Sequence, residues 1–276
     1  MSLLSQAQAA VQSNTLTDLT DTNAGGNFER KLLPTGVALV RFSGYIEVGT
    51  QAQRPFQGKA KPPAPEVKLV FHVVGGMGKD EAGKMTPYVS QEDIDKGYFP
   101  RLSPFFDMAI SLNEKSRSTA VFNAMNYAGD AKHFVEKLGA LYLLPIGLTE
   151  DKKYNDYDFR KLREPVDAMS GQLYPAPDLP EDKYQLFLWN SPTMEQWESI
   201  FIDGTTQEGK SKNYIQEKIQ KATNFVGSPV ERLLMSGGVT LPSLAEDAPS
   251  ASGEPTDLPS VPTVPEVPAV PEVPTI

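Results

Sequence analysis

The chain has 276 residues, with 26 Lys and Arg against 35 Asp and Glu, a formal net charge of −9, two histidines and no cysteine. That length is near the upper end for a single compact core. Without cysteine there are no disulfides and no thiolate metal sites, and nowhere do roughly 18 consecutive apolar residues occur, the run that a membrane-spanning helix needs.

Met1 to Asn27 is polar and rich in Thr, Asp and Asn, without a basic stretch followed by an apolar one. It is expected to be a flexible segment, not a secretory leader, on a soluble intracellular protein. From Val37 to Val48 the pattern alternates with period two and predicts a strand. Ala38, Val40, Phe42, Ile46 and Val48 fall on a core face, and Leu39, Arg41, Ser43, Tyr45 and Glu47 on the other. Gly44 inside the run suggests a bend or bulge. Glu66 to Val74 repeats the pattern, with Val67, Leu69, Phe71 and Val73 inward and Lys68, Val70 and His72 outward.

Further strands are expected at Met85–Val89 and Pro104–Leu112, and helical spacing follows over Glu114–Met125 and Asp130–Leu138. Leu141–Leu148 and Tyr184–Trp189 are short, apolar strands separated by a charged and aromatic excursion, Thr149–Asp182. Two helices close the ordered part, Lys212–Ala222 and Pro229–Met235, the second with Ser228, Pro229 and Glu231 as a capping box. The reading is an α+β fold, mainly β, in which an antiparallel barrel carries helical decorations over residues 28–241.

Pro242 to Ile276 differs in kind. It holds six acids, no base and nine prolines, and from Leu258 proline recurs at every third position. Polyproline II turns once per three residues, so this segment reads as a solvated, semi-rigid, disordered acidic tail. All 26 basic residues precede it, which leaves a body of about 29 acids and nearly neutral. Such a tail is either a plain disordered terminus or an element that competes for the body's own cations and recruits partners.

Catalytic and cofactor motifs are missing. His72 and His133 lie 61 residues apart with no cysteine to complete a zinc set, and no Gly-x-Ser-x-Gly elbow supports a triad. Gly75-Gly76-Met77-Gly78-Lys79 lacks the Walker spacing and is followed by Asp80, so it reads as a hairpin turn. The acid runs Glu92-Asp93-Ile94-Asp95 and Asp151–Asp158 read as solvated faces before they read as cation sites. Trp189 and Trp197, each in an apolar setting, read as core. The expectation is a protein without enzymatic activity, cofactor or metal.

The positive signal is spread over Arg30–Lys84, where nine Lys or Arg face four Asp or Glu. Arg41, Tyr45, Lys68 and His72 are expected on one sheet face, with Arg54, Phe56, Lys59 and Lys61 on the loop above it. Cations that track phosphates beside rings that stack on unpaired bases are what single-stranded nucleic acid requires. A second basic-aromatic cluster joins Tyr154, Tyr157 and Phe159 to Lys152, Lys153, Arg160, Lys161 and Arg163; it is either a flap or a loop surface.

Several stretches resemble one family. Leu33-Pro34-Thr35-Gly36-Val37, Ile46-Glu47-Val48-Gly49-Thr50-Gln51, Gly58-Lys59-Ala60-Lys61 and Glu66-Val67-Lys68-Leu69-Val70-Phe71 look like the single-stranded DNA-binding proteins of tailed bacteriophages. So do Ser111-Leu112-Asn113-Glu114-Lys115-Ser116, Phe187-Leu188-Trp189-Asn190, Trp197 to Gly204 and Asn213 to Ile219, and the likeness runs from Leu32 to Leu234. The resemblance implies an OB-fold core that coats single-stranded DNA in phage replication or recombination, in the cytoplasm of the infected bacterial host. It also implies a tail that meets phage or host replication proteins; self-association is compatible with it. This tail ends Val273-Pro274-Thr275-Ile276, without an acidic run capped by an aromatic, so use of the host's standard tail-binding pockets is not implied. The rival expectation is a phage structural or assembly module without nucleic-acid affinity.

Overall fold

The computed structural model describes residues 32–55, 58–104, 107–167, 169–206 and 209–237. The expected N-terminal segment 1–27, Phe56, the aromatic pair Phe105 and Phe106, and the tail 242–276 lie outside the described residues.

β1 (Thr35–Gln51) and β2 (Ala64–Lys79) pair antiparallel and form the spine of an eight-stranded sheet. Along its main path the order is β3-β2-β1-β6-β7, with β3 at Met85–Pro87, β6 at Leu141–Leu148 and β7 at Asn155–Tyr157. β4 (Arg101–Leu102) and β5 (Met108–Ala109) pair with β2, and β8 (Gln185–Phe187) runs parallel to β1 at Gly44–Ile46. The helices are α1 (Gln91–Asp95), α2 (Arg117–Met125), α3 (Met194–Ser199), α4 (Tyr214–Gln220) and α5 (Pro229–Ser236). The protein is thus mainly antiparallel β with a few helices. No helix among the described residues is long and apolar enough to cross a membrane.

Three irregularities in the β1–β2 register decide which side chains face where, and one falls at Ser43, because Phe42 pairs with Phe71 while Gly44 pairs with Val70. One extra residue on β1 reverses every side chain beyond it. Tyr45, paired with Leu69, therefore returns to the side of Phe42 and Phe71, where all four join the main core. Ile46, opposite Lys68, passes to the other side. The expected bulge at Gly44 is present, but the two-face assignment holds only up to Phe42.

Both faces of the sheet are covered. The first core joins Val40, Phe42, Tyr45, Leu69 and Phe71 to Phe134, Tyr142, Leu144 and Phe159. On the reverse, Ile46, Val48 and Val70 are buried, and so are Phe187, Trp189, Trp197, Ile200, Ile215, Ile219 and Leu234 of the C-terminal part. Trp197 packs 5.7 Å from Phe187, ring centre to ring centre. Both tryptophans are core residues, as their apolar neighbours led one to expect. A sheet buried on both sides cannot keep an open basic face.

Local chemistry shifted several boundaries. Gly75–Lys79 is the end of β2, not a turn; the turn is Asp80–Lys84, where the Asp80 carboxylate accepts from the backbone N–H groups of Ala82 and Lys84. The Glu92–Asp95 acid run is α1, with Asp93 in a capping box on Ser90 and Glu92 paired with Lys96. Of the strand expected over Pro104–Leu112 the described part is only Met108–Ala109. α2 begins at Arg117 because Ser116 caps it by accepting from Thr119 N–H. Ser228 caps α5 as expected with Pro229 in the first turn, whereas Glu231 reaches back to Gly227 N–H.

Candidate nucleic-acid interface

The four residues expected on one open sheet face are parts of the interior, and Tyr45 stands on the opposite face from the other three. Lys68 is 6 % exposed and its Nζ lies 2.6 Å from Asp107 Oδ1, while the same ammonium stands 5.5 Å from the centre of the Tyr214 ring. Asp107 is shared with Lys218, which also bonds Glu66 at 2.6 Å. His72 is 5 % exposed, with Ser43 Oγ 2.7 Å from its Nδ1. Burial, and after it the charges of Arg101 and Lys183, hold the imidazole down to about 4, so it is neutral at pH 7. Arg41 is half-buried, donating to the carbonyls of Gly139 at 2.9 Å and Pro177 at 3.2 Å. Tyr45 is 1 % exposed, donates to Glu47 and packs on Phe134; burial, with Glu47 adding to it, pushes its hydroxyl far up. Side chains so enclosed cannot track a phosphate chain.

The loop positions fare differently. Arg54, Lys59 and Lys61 are exposed on the β1–β2 connection. Its base is tied down by Gln53, which donates to Glu66 at 2.8 Å, and by Gln51, which donates to the carbonyl of Lys218. Glu66 therefore links the loop to α4 through Lys218. Of the expected eight, these three are the ones exposed among the described residues.

A cationic cleft lies elsewhere, between the start of α2 and the segment that follows β7. It measures about 470 Å³ and is lined by Lys115, Ser116, Arg117, Ala120, Asp156, Tyr157, Asp158 and Arg160. Arg160 is committed to Asp158, with Nε 3.0 and 2.9 Å from the two carboxylate oxygens. Arg160 above all, with Arg117 adding to it, holds the Asp158 carboxyl below the usual range. Among the described residues the side chains of Lys115 and Arg117 make no hydrogen bond or ion pair, and both are exposed. Tyr157 is fixed by its hydroxyl, which donates to Ser103 O at 2.8 Å. Tyr154, on the β6–β7 turn among Lys152 and Lys153, is 54 % exposed. Phe159, counted with it in the sequence, is buried instead.

Half of this cleft was legible. Tyr157 and Arg160 belong to the second basic-aromatic cluster, whereas Lys115 and Arg117 fall within the helix expected over Glu114–Met125. The available signal was Asn113-Glu114-Lys115-Ser116-Arg117, in which the serine is a helix cap and places both cations at the mouth of the helix. No group of three or more His, Asp or Glu among the described residues is placed to hold a metal ion. No protein-family model, no curated protein and no solved structure matches the chain.

Proposed function

We propose that this is a non-enzymatic, sequence-tolerant single-stranded DNA-binding protein that coats DNA in phage replication or recombination, in the cytoplasm of the bacterial host. The observation that carries the reading is the open cleft in which Lys115 and Arg117 stand exposed and without an ion pair beside Tyr157, with Tyr154 exposed on the neighbouring turn. Interior cations of this chain are neutralised, as Lys68 and Lys218 are by Asp107 and Glu66. Unpaired cations at the surface are free to replace counterions along a phosphate backbone, and exposed rings supply sequence-tolerant stacking.

An OB-like reading of the sheet supports it. β1 is long and bulged, pairing β2 along one edge and β6, then β8, along the other. The binding surface is drawn around the cleft and the Arg54, Lys59 and Lys61 loop in place of the buried face. The acidic tail is expected to weaken binding by competing for cations and to recruit replication or recombination partners.

Titrating the full chain and a 1–241 truncation into labelled oligo-dT and matching duplex, at low and high salt, tests this. Salt-sensitive preference for the single strand, stronger without the tail, is the expected result. Absence of binding by both proteins sinks the reading.

A second reading, an assembly module, draws on one specific row. Val37 pairs with Met77 and Met77 with Pro87, so exposed apolar side chains from three strands stand in register at one end of the sheet. That reading predicts self-association without DNA and no salt-dependent DNA affinity, which sedimentation and the same titration separate from the first.

A further inference from the structure

The cleft between α2 and the segment after β7 is more specific than a charged surface. Resting on the single-strand reading above, we infer that it is a discrete subsite for one phosphodiester group of the bound strand, held by Lys115 and Arg117.

Three cations and two carboxylates line the cleft. Arg160 and Asp158 cancel in a pair at 2.7 Å. Lys115 and Arg117 form no ion pair, although Arg117 is near enough to act on the Asp158 carboxyl, and with Asp156 counted the lining as a whole keeps one unit of positive charge. A phosphodiester carries one negative charge at neutral pH, so it fits the surplus, whereas a dianionic terminal phosphate overfills it.

The polar groups sort in the same way. The Ser116 hydroxyl is spent on the cap of α2 and on Ser111 O, and the Tyr157 hydroxyl on Ser103 O. Two of the Arg160 nitrogens are spent on Asp158. The cations left without an ion pair are the ammonium of Lys115 and the guanidinium of Arg117. A guanidinium presents paired N–H groups at the spacing of two phosphate oxygens, and an ammonium adds a third contact as a point charge. The volume of about 470 Å³ accommodates the phosphate with part of its sugar, and an open cleft lets a continuous strand enter and leave. Asp156, on the wall, works against further anions and so sets the limit at one group.

The test uses full-length protein and three probes: the dinucleotide TpT with its single phosphodiester, thymidine with none, and inorganic phosphate. Binding is read from the arginine side-chain NMR signals, and oligo-dT affinity from titrations over a range of salt. Expected are a TpT-dependent shift of the Arg117 signal and no shift with thymidine. In Lys115→Gln and Arg117→Gln the melting temperature should hold while affinity for oligo-dT falls about fivefold to tenfold at low salt. The slope of log affinity against log salt should shrink by roughly 0.7 for each lost phosphate contact. Arg117→Lys should restore the slope better than the affinity, because charge returns without the fork.

Oligo-dT binding with an unaltered slope in both glutamine variants overturns the subsite and leaves the single-strand reading standing. A TpT shift in a protein that does not bind oligo-dT does the reverse. Tighter binding of inorganic phosphate than of TpT also overturns the inference, since the cleft then serves a free dianion.

Discussion

Lys68 and Asp107 form an ion pair of 2.6 Å inside the protein, and Lys218 closes it from α4 at 2.8 Å from the second Asp107 oxygen. An enclosed pair of this kind is costly to break from one side, because the remaining charge stays buried without its partner. Lys68→Glu, which sets a second carboxylate against Asp107, should lower unfolding stability by about 3–5 kcal/mol, and Lys68→Met by less, because Lys218 still pairs with Asp107. Urea titration measures this, and a loss under about 1 kcal/mol in Lys68→Glu contradicts the burial. Any reduction of DNA binding in Lys68→Glu then reports unfolding and not a lost phosphate contact.

His72 makes stability fall on the acid side. Its imidazole titrates near 6.5 in the unfolded chain and at about 4 when folded. Between those values the unfolded state holds the extra proton, so stability drops as pH falls from about 6.5 to 4 and is fully present above that window. The loss approaches roughly 3 kcal/mol by pH 4. Ser43, Arg101, Lys183 and Asp182 are the groups that face the ring. Denaturation at pH 7.5 and pH 4.5 should show a larger difference in the native protein than in His72→Asn, which cannot titrate. Equal differences would remove His72 from the account.

Gly49 is required twice over. Its φ is +76°, and a Cβ built there would stand 2.3 Å from the Trp189 ring and 2.7 Å from Ala222. Gly58 shares the positive φ, at +75°, but a Cβ there meets nothing within 4 Å. Gly49→Ala should therefore cost about 3 kcal/mol or more, since it forces apart the packing of β1 on the C-terminal helices, while Gly58→Ala carries only the backbone strain of about 1 kcal/mol. Thermal melts of the two variants compare them directly.

What the residues disclosed follows from how local each cause is. Period-two alternation located β1 and β2, a short apolar run located β6, and Ser228-Pro229 located α5, because strand burial and helix capping are written within a few neighbouring residues. Tyr45 left the expected face because of a single residue. Ser43 is an insertion in the ladder, and whether Gly44 merely bends the strand or reverses its faces depends on which β2 residue it meets, Val70, some twenty-six positions away. Burial of Lys68 was equally hidden, since its partners Asp107 and Tyr214 come from distant parts of the chain. Lys68 and His72 alternate with apolar residues as surface positions do, and only the second layer, from Phe187 to Leu234, turns that face inward.

Tyr154 separates a stacking surface from a merely charged one. Its ring is 54 % exposed on the turn between β6 and β7, and its backbone, not its side chain, holds the turn through Thr149. Removing the ring should therefore leave the fold unchanged. If bases stack there, Tyr154→Ala costs about 1–3 kcal/mol of binding, a loss between roughly fivefold and a hundredfold in affinity for oligo-dT. Because no charge is removed, the salt slope should stay where it was, in contrast to the effect of Arg117→Gln. Tyr154→Phe should bind as the native protein does, since stacking needs the ring and not the hydroxyl. Fluorescence titration of the three proteins at two salt concentrations distinguishes the outcomes: an unchanged affinity in Tyr154→Ala removes stacking at this turn and leaves the cleft to bind through charge alone.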